Sequence, residues 1–426
     1  MPHHVSTTFL VLACIALAIQ ALNLFLALFG PEAPYRIPGE LPAPDSAEFE
    51  RLLTTLTDSG LHRGNRVEVL TNGDKFYEAE LDAIARAERT INLEAYIFHR
   101  GDIGNRFIKA LSERARAGVS VKLTIDYIGS ISASFGFFRE LTEAGGRVEW
   151  YHSLRPDLLP AINNRTHREL LIVDGKVGFI GGAGIADQWY KGDRGNPQWR
   201  DTVFRVEGPV VNSLQSCFAE NWLRVAGEIL TGPEYFAFEP SEHGSTGMVI
   251  SSTPAAGSTR ARMLYQILIA AARKSIVITT PYFLPDRSAR KALRRAKRER
   301  NVEIRILTPG KRADHLLTRT SARHLYGRVI QGGAEMYEYR PAMLHAKVMI
   351  IDDLWSVVGS TNFDHRSFEL NDEVNLAMCD PRIAARLLED FERDLGQSRR
   401  VSYEQWRRNI LFRVSDWILA LLKRQE

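Results

Sequence analysis

One short pattern occurs twice in the chain, and such a repeat constrains the fold to two related halves. The second copy reads Leu344-His345-Ala346-Lys347-Val348-Met349-Ile350-Ile351-Asp352, with Gly359-Ser360-Thr361-Asn362 downstream. The first reads Thr166-His167-Arg168-Glu169-Leu170-Leu171-Ile172-Val173-Asp174, with Gly181-Gly182-Ala183-Gly184 downstream. In each, histidine and aspartate flank a short apolar run, which suits a buried strand ending at a turn. Alternate side chains of a strand share a face, so His345 and Lys347 are expected to project together, as are Ser360 and Asn362. An imidazole titrates near neutrality and serves as nucleophile or proton donor. A neighbouring ammonium neutralises a phosphoryl oxygen, and a hydroxyl and a carboxamide add neutral donors. A lone histidine on an apolar strand is ordinarily a core residue. Here lysine, aspartate, glycine-serine and asparagine accompany it, and the combination favours a phosphodiester site.

The first copy departs from the second at two positions. Glu169 stands where the second copy has Lys347, and Gly184 where it has Asn362. A carboxylate facing a phosphate is repulsive, so Glu169 cannot take over the lysine's contact. It could instead orient an imidazole or pair with Arg165 or Arg168. Three readings follow: an altered phosphate clamp, a site for a different ester, or a decayed half. The retention of His167 and of Gly181 through Asp187 favours the first.

Other segments repeat as well. Ala87 to Phe98 parallels Ala272 to Phe283, and Val119 to Asp126 parallels Val302 to Thr308; each runs from a helix-like stretch into a β-branched strand. Alternating helix and strand implies an α/β sheet in each half, with His167 and His345 facing one cleft. Glu373, in Glu369 to Asn375, is expected to hold the active histidine through its second nitrogen. Asp201 is its counterpart in the first half. A structural ion pair is an equal alternative for both. Asp174 and Asp352 are motif members that could serve the turn rather than the chemistry.

The doubled motif, together with Asn92 to Phe98, Pro281 to Asp286 and Gly359 to Phe368, resembles the phospholipase D superfamily, and within it the bacterial cardiolipin synthase group. The resemblance spans most of the chain. It implies a duplicated α/β phospholipase D-like fold, two sheet-plus-helix halves sharing one active-site cleft. It also implies phosphatidyl transfer: one histidine attacks the phosphodiester to form a phosphohistidine, and the other protonates the leaving alcohol. His345, Lys347, Asp352, His167 and Asp174 would be the catalytic set, with Ser360 and Asn362 on the phosphate, Glu373 and Asp201 orienting, and Glu169 undecided. No metal or cofactor is expected. Two phosphatidylglycerols would give cardiolipin and glycerol; with water as acceptor the product would be phosphatidic acid. The alternatives are a nuclease-type phosphodiesterase and a binding protein with a degenerate first motif. The expected partners are a phospholipid substrate and a membrane, without nucleic acid.

At 426 residues the chain is long enough for two halves with a large core, and its net charge of +4 argues little for nucleic acid. Cys14, Cys217 and Cys379 show no metal or disulfide spacing. Phe9 to Phe29 is apolar apart from Gln20 and Asn23, long enough for a helix to span a bilayer. This predicts an N-terminal transmembrane helix and a single-pass location in a bacterial inner membrane. The expected divisions are an anchor (1–30), a proline-rich linker (31–60), the first half (61–235), the second half (245–400) and a basic amphipathic tail helix (401–426). In that tail Trp406, Ile410, Val414, Trp417 and Leu421 recur at helical spacing among Arg407, Arg408, Arg413, Lys423 and Arg424.

Overall fold

The structure is a computed structural model. It describes residue 14 and residues 35–407, apart from 134, 153–163, 194, 238–243, 254–259 and 315. The strands of the first half are β1 (His62–Thr71), β2 (Thr90–Ala95), β3 (Ser120–Asp126), β4 (Arg147–Tyr151), β5 (Arg165–Thr166), β6 (Leu170–Val173), β7 (Val177–Gly181) and β8 (Thr202–Glu207). Those of the second are β9 (Ser245–Ser252), β10 (Ser275–Thr279), β11 (Glu303–Pro309), β12 (Glu335–Tyr339), β13 (Val348–Ile351), β14 (Trp355–Gly359), β15 (Asn371–Cys379) and β16 (Ser398–Val401).

Their order across the sheet is β16-β12-β11-β10-β13-β14-β15-β9-β1-β8-β7-β6-β2-β3-β4. Outward from the central β9–β1 pair, β15-β14-β13-β10-β11-β12 mirrors β8-β7-β6-β2-β3-β4. The repeat legible in the sequence is therefore a repeat of topology. In each half the motif strand, β6 or β13, pairs antiparallel with β2 or β10. All four residues of β6 and of β13 are buried. Helices cover both faces of these strands, so their sequence is a continuous apolar run without alternation.

One core belongs to both halves. Leu170, Phe204, Phe218 and Trp222 of the first half share a cluster with Leu344, Ile350, Leu376 and Leu387 of the second. The helix Val210–Ala226 lies against β9 of the other half, and Pro381–Gly396 against β1. Asp380 caps the latter by accepting from Arg382 N, and Pro381 takes the first turn, where its missing N–H costs nothing. Two outer cores, one per half, lie beneath the remaining helices.

Three expectations are corrected here. The 31–60 stretch is not a free linker from residue 35 onward. Ala47–Thr57 is a helix whose Phe49 and Leu53 are fully buried in the second half's outer core, and Pro44 O accepts from Trp355 Nε1 at 2.8 Å. The expected tail helix begins instead with strand β16, antiparallel to β12, and only Tyr403–Arg407 is helical within the described part. The N-terminal transmembrane helix, and the single-pass inner-membrane location drawn from it, are overturned: among the described residues no helix is long and apolar enough to cross a membrane. The run 9–29 itself, save Cys14, lies outside the described residues, as does 408–426.

The motif aspartates do the same work in both halves. Asp174 and Asp352 sit at φ 54° and 55° on the turns after β6 and β13. Asp174 accepts from Glu88 N, Arg89 N and Thr90 N at 2.9, 2.7 and 2.8 Å. Asp352 accepts from Arg273 N, Lys274 N and Ser275 N at 2.8, 2.7 and 2.9 Å. Each carboxylate thus fixes the start of the strand beside the motif strand, at the end remote from the histidine. Asp352→Ala is expected to lose roughly 2–4 kcal/mol of stability, since three charge-assisted bonds go at once and solvent recovers part. Urea titration measures it. An unchanged midpoint together with lost turnover would return Asp352 to the chemistry.

Candidate active site

The histidines stand just before their strands, not within them: β13 begins at Val348 and β6 at Leu170. What positions them comes from the opposite half. Leu344 bridges Arg200, and His345 N donates to Arg200 O at 2.7 Å. Symmetrically, β5 pairs with Asn371 and Asp372 of β15, and His167 N donates to Asp372 O at 2.9 Å.

The carboxylates follow the same crossing. His345 Nδ1 lies 2.8 Å from Asp201 Oδ2, a residue of the first half. His167 Nδ1 lies 3.1 Å from both oxygens of Glu373, a residue of the second. The sequence reading paired each histidine with a carboxylate of its own half; the structure exchanges them. Asp201 and Glu373 are fully buried. Burial raises both pKa values, yet the bonds to the histidines and the charge around them prevail, so both lie below the ordinary carboxylate range. Each carboxylate occupies an Nδ1 and so leaves Nε2 as the ring nitrogen without a carboxylate.

Lys347 lies at the junction. Its Nζ is 2.8 Å from His345 O and 2.9 and 3.1 Å from ring atoms Nδ1 and Nε2. Burial lowers its pKa, opposed by the charges of Asp201 and Glu373, so it senses both histidine–carboxylate pairs. Gly182 leaves it room: a Cβ there would come within 2.7 Å of Lys347 Cδ. His345 is held below the ordinary imidazole value, first by burial and then by Lys347.

Ser360 and Asn362 part ways. The Ser360 hydroxyl donates to Glu373 and accepts from Val374 N at 3.0 Å, which commits it to the carboxylate and away from a phosphate. Asn362 is buried, with no partner for its Oδ1 among the described residues. Among the described residues no group of three histidine, cysteine or acidic side chains could hold a metal ion.

Glu169 makes neither of the ion pairs considered for it. Arg165 pairs with Asp126, and Arg168 with Glu220 and Cys217 O. Glu169 turns into the first half, where Oε1 accepts from Tyr96 N and Ile97 N at 3.2 and 3.4 Å. It lines a small cavity with Glu80 and Glu94. Burial drives its pKa well above the ordinary carboxylate value, against those two donors and Lys347, which favours the neutral carboxyl. Gly184 belongs to the same adjustment: a Cβ there would meet Ile97 O at 2.6 Å and Glu169 Oε1 at 3.1 Å. The two departures of the first motif are thus one coupled change.

Some neighbours carried no sequence signal. Trp189 and Trp199 flank His345, with ring centroids 5.2 and 5.5 Å away, and Trp189 Nε1 donates to Asp201 at 3.0 Å. Tyr96 meets His167 edge-on at 5.2 Å. Tyr96 lies in the strand-like stretch that repeats in the second half. Nothing in the spacing of the tryptophans marks them.

The family model described as cardiolipin synthase, phospholipase D-like domain matches residues 81–217 and again 265–395. The chain belongs to this family. A "Cardiolipin synthase 2" of Bacillus anthracis is 34% identical over 347 residues, covering 81% of this chain and 67% of that protein. A "Cardiolipin synthase A" of Pseudomonas fluorescens is 35% identical over 347 residues, covering 80% and 71%. The crystal structure of phosphatidylserine synthase from Haemophilus influenzae superimposes with a TM-score of 0.67 at 14% identity, covering 88% of this chain and 99% of that one. That last likeness concerns the fold. Membership places the chain in the cardiolipin synthase-type phosphatidyltransferase and phosphodiesterase class, as the resemblance implied.

Glu169→Gln provides a stability test with a definite sign. A carboxyl whose folded pKa is raised contributes its full stability below the ordinary value and loses it as pH rises toward the folded value. Glutamine keeps the acceptor oxygen and has no proton to lose. The variant should therefore melt near the parent below the ordinary carboxylate range and progressively above it as pH rises beyond that range. A melting difference independent of pH would show that Glu169 is not the neutral buried group described.

Proposed function

We propose that the protein transfers a phosphatidyl group between two phosphatidylglycerol molecules, giving cardiolipin and glycerol. The observation that carries this reading is the pair of crossed histidine–carboxylate contacts, one from each half, with Lys347 in electrostatic contact with both. In this reading His345 is the nucleophile. Its Nδ1 is held by Asp201, and burial with the Lys347 charge favours the neutral ring, leaving a lone pair on Nε2.

Nε2 of His345 attacks phosphorus, and the bond from phosphorus to the departing glycerol oxygen breaks. Nε2–H of His167 gives its proton to that oxygen, while Glu373 stabilises the imidazolium from the other side. Lys347, 3.1 Å from His345 Nε2, is close enough to meet a non-bridging phosphoryl oxygen as charge builds there. In the second step His167 takes the proton from the incoming glycerol hydroxyl, and that oxygen displaces His345 from phosphorus. Atoms balance across the cycle, and both histidines return to their starting states. A decayed first half is disfavoured, because His167 keeps a buried carboxylate partner although the lysine of its motif is gone.

The test is lipid mass spectrometry after incubating the full chain with phosphatidylglycerol in detergent micelles. Cardiolipin with released glycerol is the expected product; phosphatidic acid alone would replace transfer with hydrolysis. His345→Ala and His167→Ala should each remove turnover. Lys347→Ala should cost roughly 10²- to 10³-fold in kcat, as for loss of one donor to a developing oxyanion. Asp201→Asn should lower kcat strongly although Asp201 lies in the other half from His345, because the carboxamide no longer supports the working tautomer. For the parent, the acid limb of kcat/KM should fall below about pH 6.5, the ordinary histidine value, since His345 is shifted downward. An acid limb above that value would exclude His345 as the nucleophile.

A further inference from the structure

The helix Arg287–Arg300 has the sequence RSARKALRRAKRER: eight cations against the single acid Glu299. It carries +7 in a chain whose total is +4, so the rest of the protein is net negative. Only Ala289, Leu293 and Ala296 are buried beneath it. Arg287, Lys291, Arg294, Arg295 and Arg298 follow one another along its exposed side. Arg295 pairs with Glu299 at 2.5 Å. Arg287, Lys291, Arg294 and Arg298 have no carboxylate partner among the described residues. Surface arginines elsewhere commonly do, as in Arg106–Glu78 at 2.6 Å, Arg305–Glu392 at 2.5 Å and Arg400–Glu335 at 2.7 Å.

Helix energetics account for only part of this pattern. Cations in the last turn, Lys297, Arg298 and Arg300, complement the negative end of the dipole. Arg287 and Lys291 stand at the positive end, where the dipole disfavours them. Arg287–Lys291, Lys291–Arg295 and Arg294–Arg298 are like charges four apart, each repulsive. The adjacent helix Leu316–Gln331 contains no acidic residue, and its exposed Arg328 lines a small pocket with Arg290 and Arg294. An uncompensated positive face of this length fits an extended anionic surface.

The same helix is tied to the active-site cleft. Asp286 caps its first turn, accepting from Ala289 N at 2.6 Å. Just before the cap, Phe283 bridges Phe363, and Leu284 N donates to Phe363 O at 2.9 Å, immediately beside Asn362. Arg287 and Lys291 therefore lie at the cleft end and Arg298 at the far end. Both ends of residues 35–407 contact these two helices. Tyr35 N donates to Ser288 Oγ at 3.0 Å, and Trp406 Nε1 donates to Arg323 O at 2.6 Å on the adjacent helix.

We propose that this face docks the enzyme on an anionic phospholipid bilayer, with Arg287, Lys291, Arg294, Arg298 and Arg328 against the head groups and the cleft end of the helix toward the lipid. The assignment rests on the phosphatidyl-transfer reading, which requires the substrate's phosphate to reach the histidines from a lipid surface. No large apolar side chain is exposed along the helix, so the attraction is electrostatic and weakens as salt rises. Each cation near such a surface contributes about fivefold in partition at modest salt.

The test uses the full chain and the variant R287Q/K291Q/R294Q/R298Q, in which four exposed cations become neutral helix formers. Flotation with phosphatidylcholine vesicles is compared with and without phosphatidylglycerol. The variant should lose about 600-fold in partition onto the phosphatidylglycerol vesicles, with no change on pure phosphatidylcholine. Its melting temperature should be no lower than the parent's, since the like-charge pairs are relieved, and its turnover of phosphatidylglycerol in detergent micelles should match the parent. Equal partition of parent and variant, or no gain from phosphatidylglycerol, overturns the proposal. So does a parent that prefers duplex DNA to these vesicles and loses that preference in the variant. Flotation is read without turnover, so an inactive parent counts against phosphatidyl transfer while the docking face is still decided by partition.

Discussion

Everything at the centre of this molecule depends on an exchange between its halves: each histidine is oriented by a carboxylate that the other half supplies. Asp201 leads into β8 and Glu373 lies in β15, strands that occupy equivalent positions on either side of the β1–β9 seam. The backbone makes the same exchange, with Arg200 holding His345 and Asp372 holding His167. Neither half alone contains an oriented imidazole. Burying a carboxylate is costly, and here the cost is met by a partner that arrives only when the two halves are packed. The shared core of Phe218, Trp222, Leu376 and Leu387 supplies the apolar burial that keeps that packing in place.

Against this near-symmetry, the first motif is chemically different. Glu169 withdraws from the cleft, is pushed by burial toward its neutral form and accepts from the backbone of Tyr96 and Ile97. Gly184 vacates the volume that the glutamate then approaches. Of the two motif positions only Lys347 carries a cation, and it leans on His345. A symmetric scaffold thereby acquires two unlike histidines: one between tryptophans with an ammonium at its ring, the other beside a tyrosine edge with Glu373 as its acidic partner. Unlike roles in a two-step transfer need such a difference, since one ring must attack while the other carries a proton.

The charge on the outside follows a different logic from the charge in the cleft. Inside, Asp201 and Glu373 each hold a histidine within hydrogen-bonding distance, and Lys347 feels the charge of both. Along Arg287–Arg300 the cations are left open to solvent, although intrahelical repulsion disfavours that arrangement. The cap at Asp286 and the Phe283–Phe363 bridge join the two regions through a few residues. A surface contact made by the helix is thus delivered close to the loop that carries Asn362.

The sequence by itself determined the duplicated α/β architecture, the motif histidines and the family, because those rest on local spacing and on apolar runs that any half must bury. It also offered Asp201 and Glu373 as orienting groups. Their assignment to the opposite histidines was out of its reach, since partners 144 and 206 residues apart leave no local trace. Ser360 read as a phosphate donor because its distance from Asn362 is all that a sequence displays, whereas its hydroxyl turns to Glu373 once β14 and β15 are paired. Asp174 and Asp352 looked catalytic by company, and tertiary structure made them anchors for strands some eighty residues earlier. The apolar run near the N-terminus suggested a membrane span from hydropathy alone, and no helix among the described residues provides one. Glu169 could be recognised in the sequence as a departure. Only the fold decided that it leaves the cleft, because the direction of a buried side chain is set by the backbone donors and the empty volume that meet it.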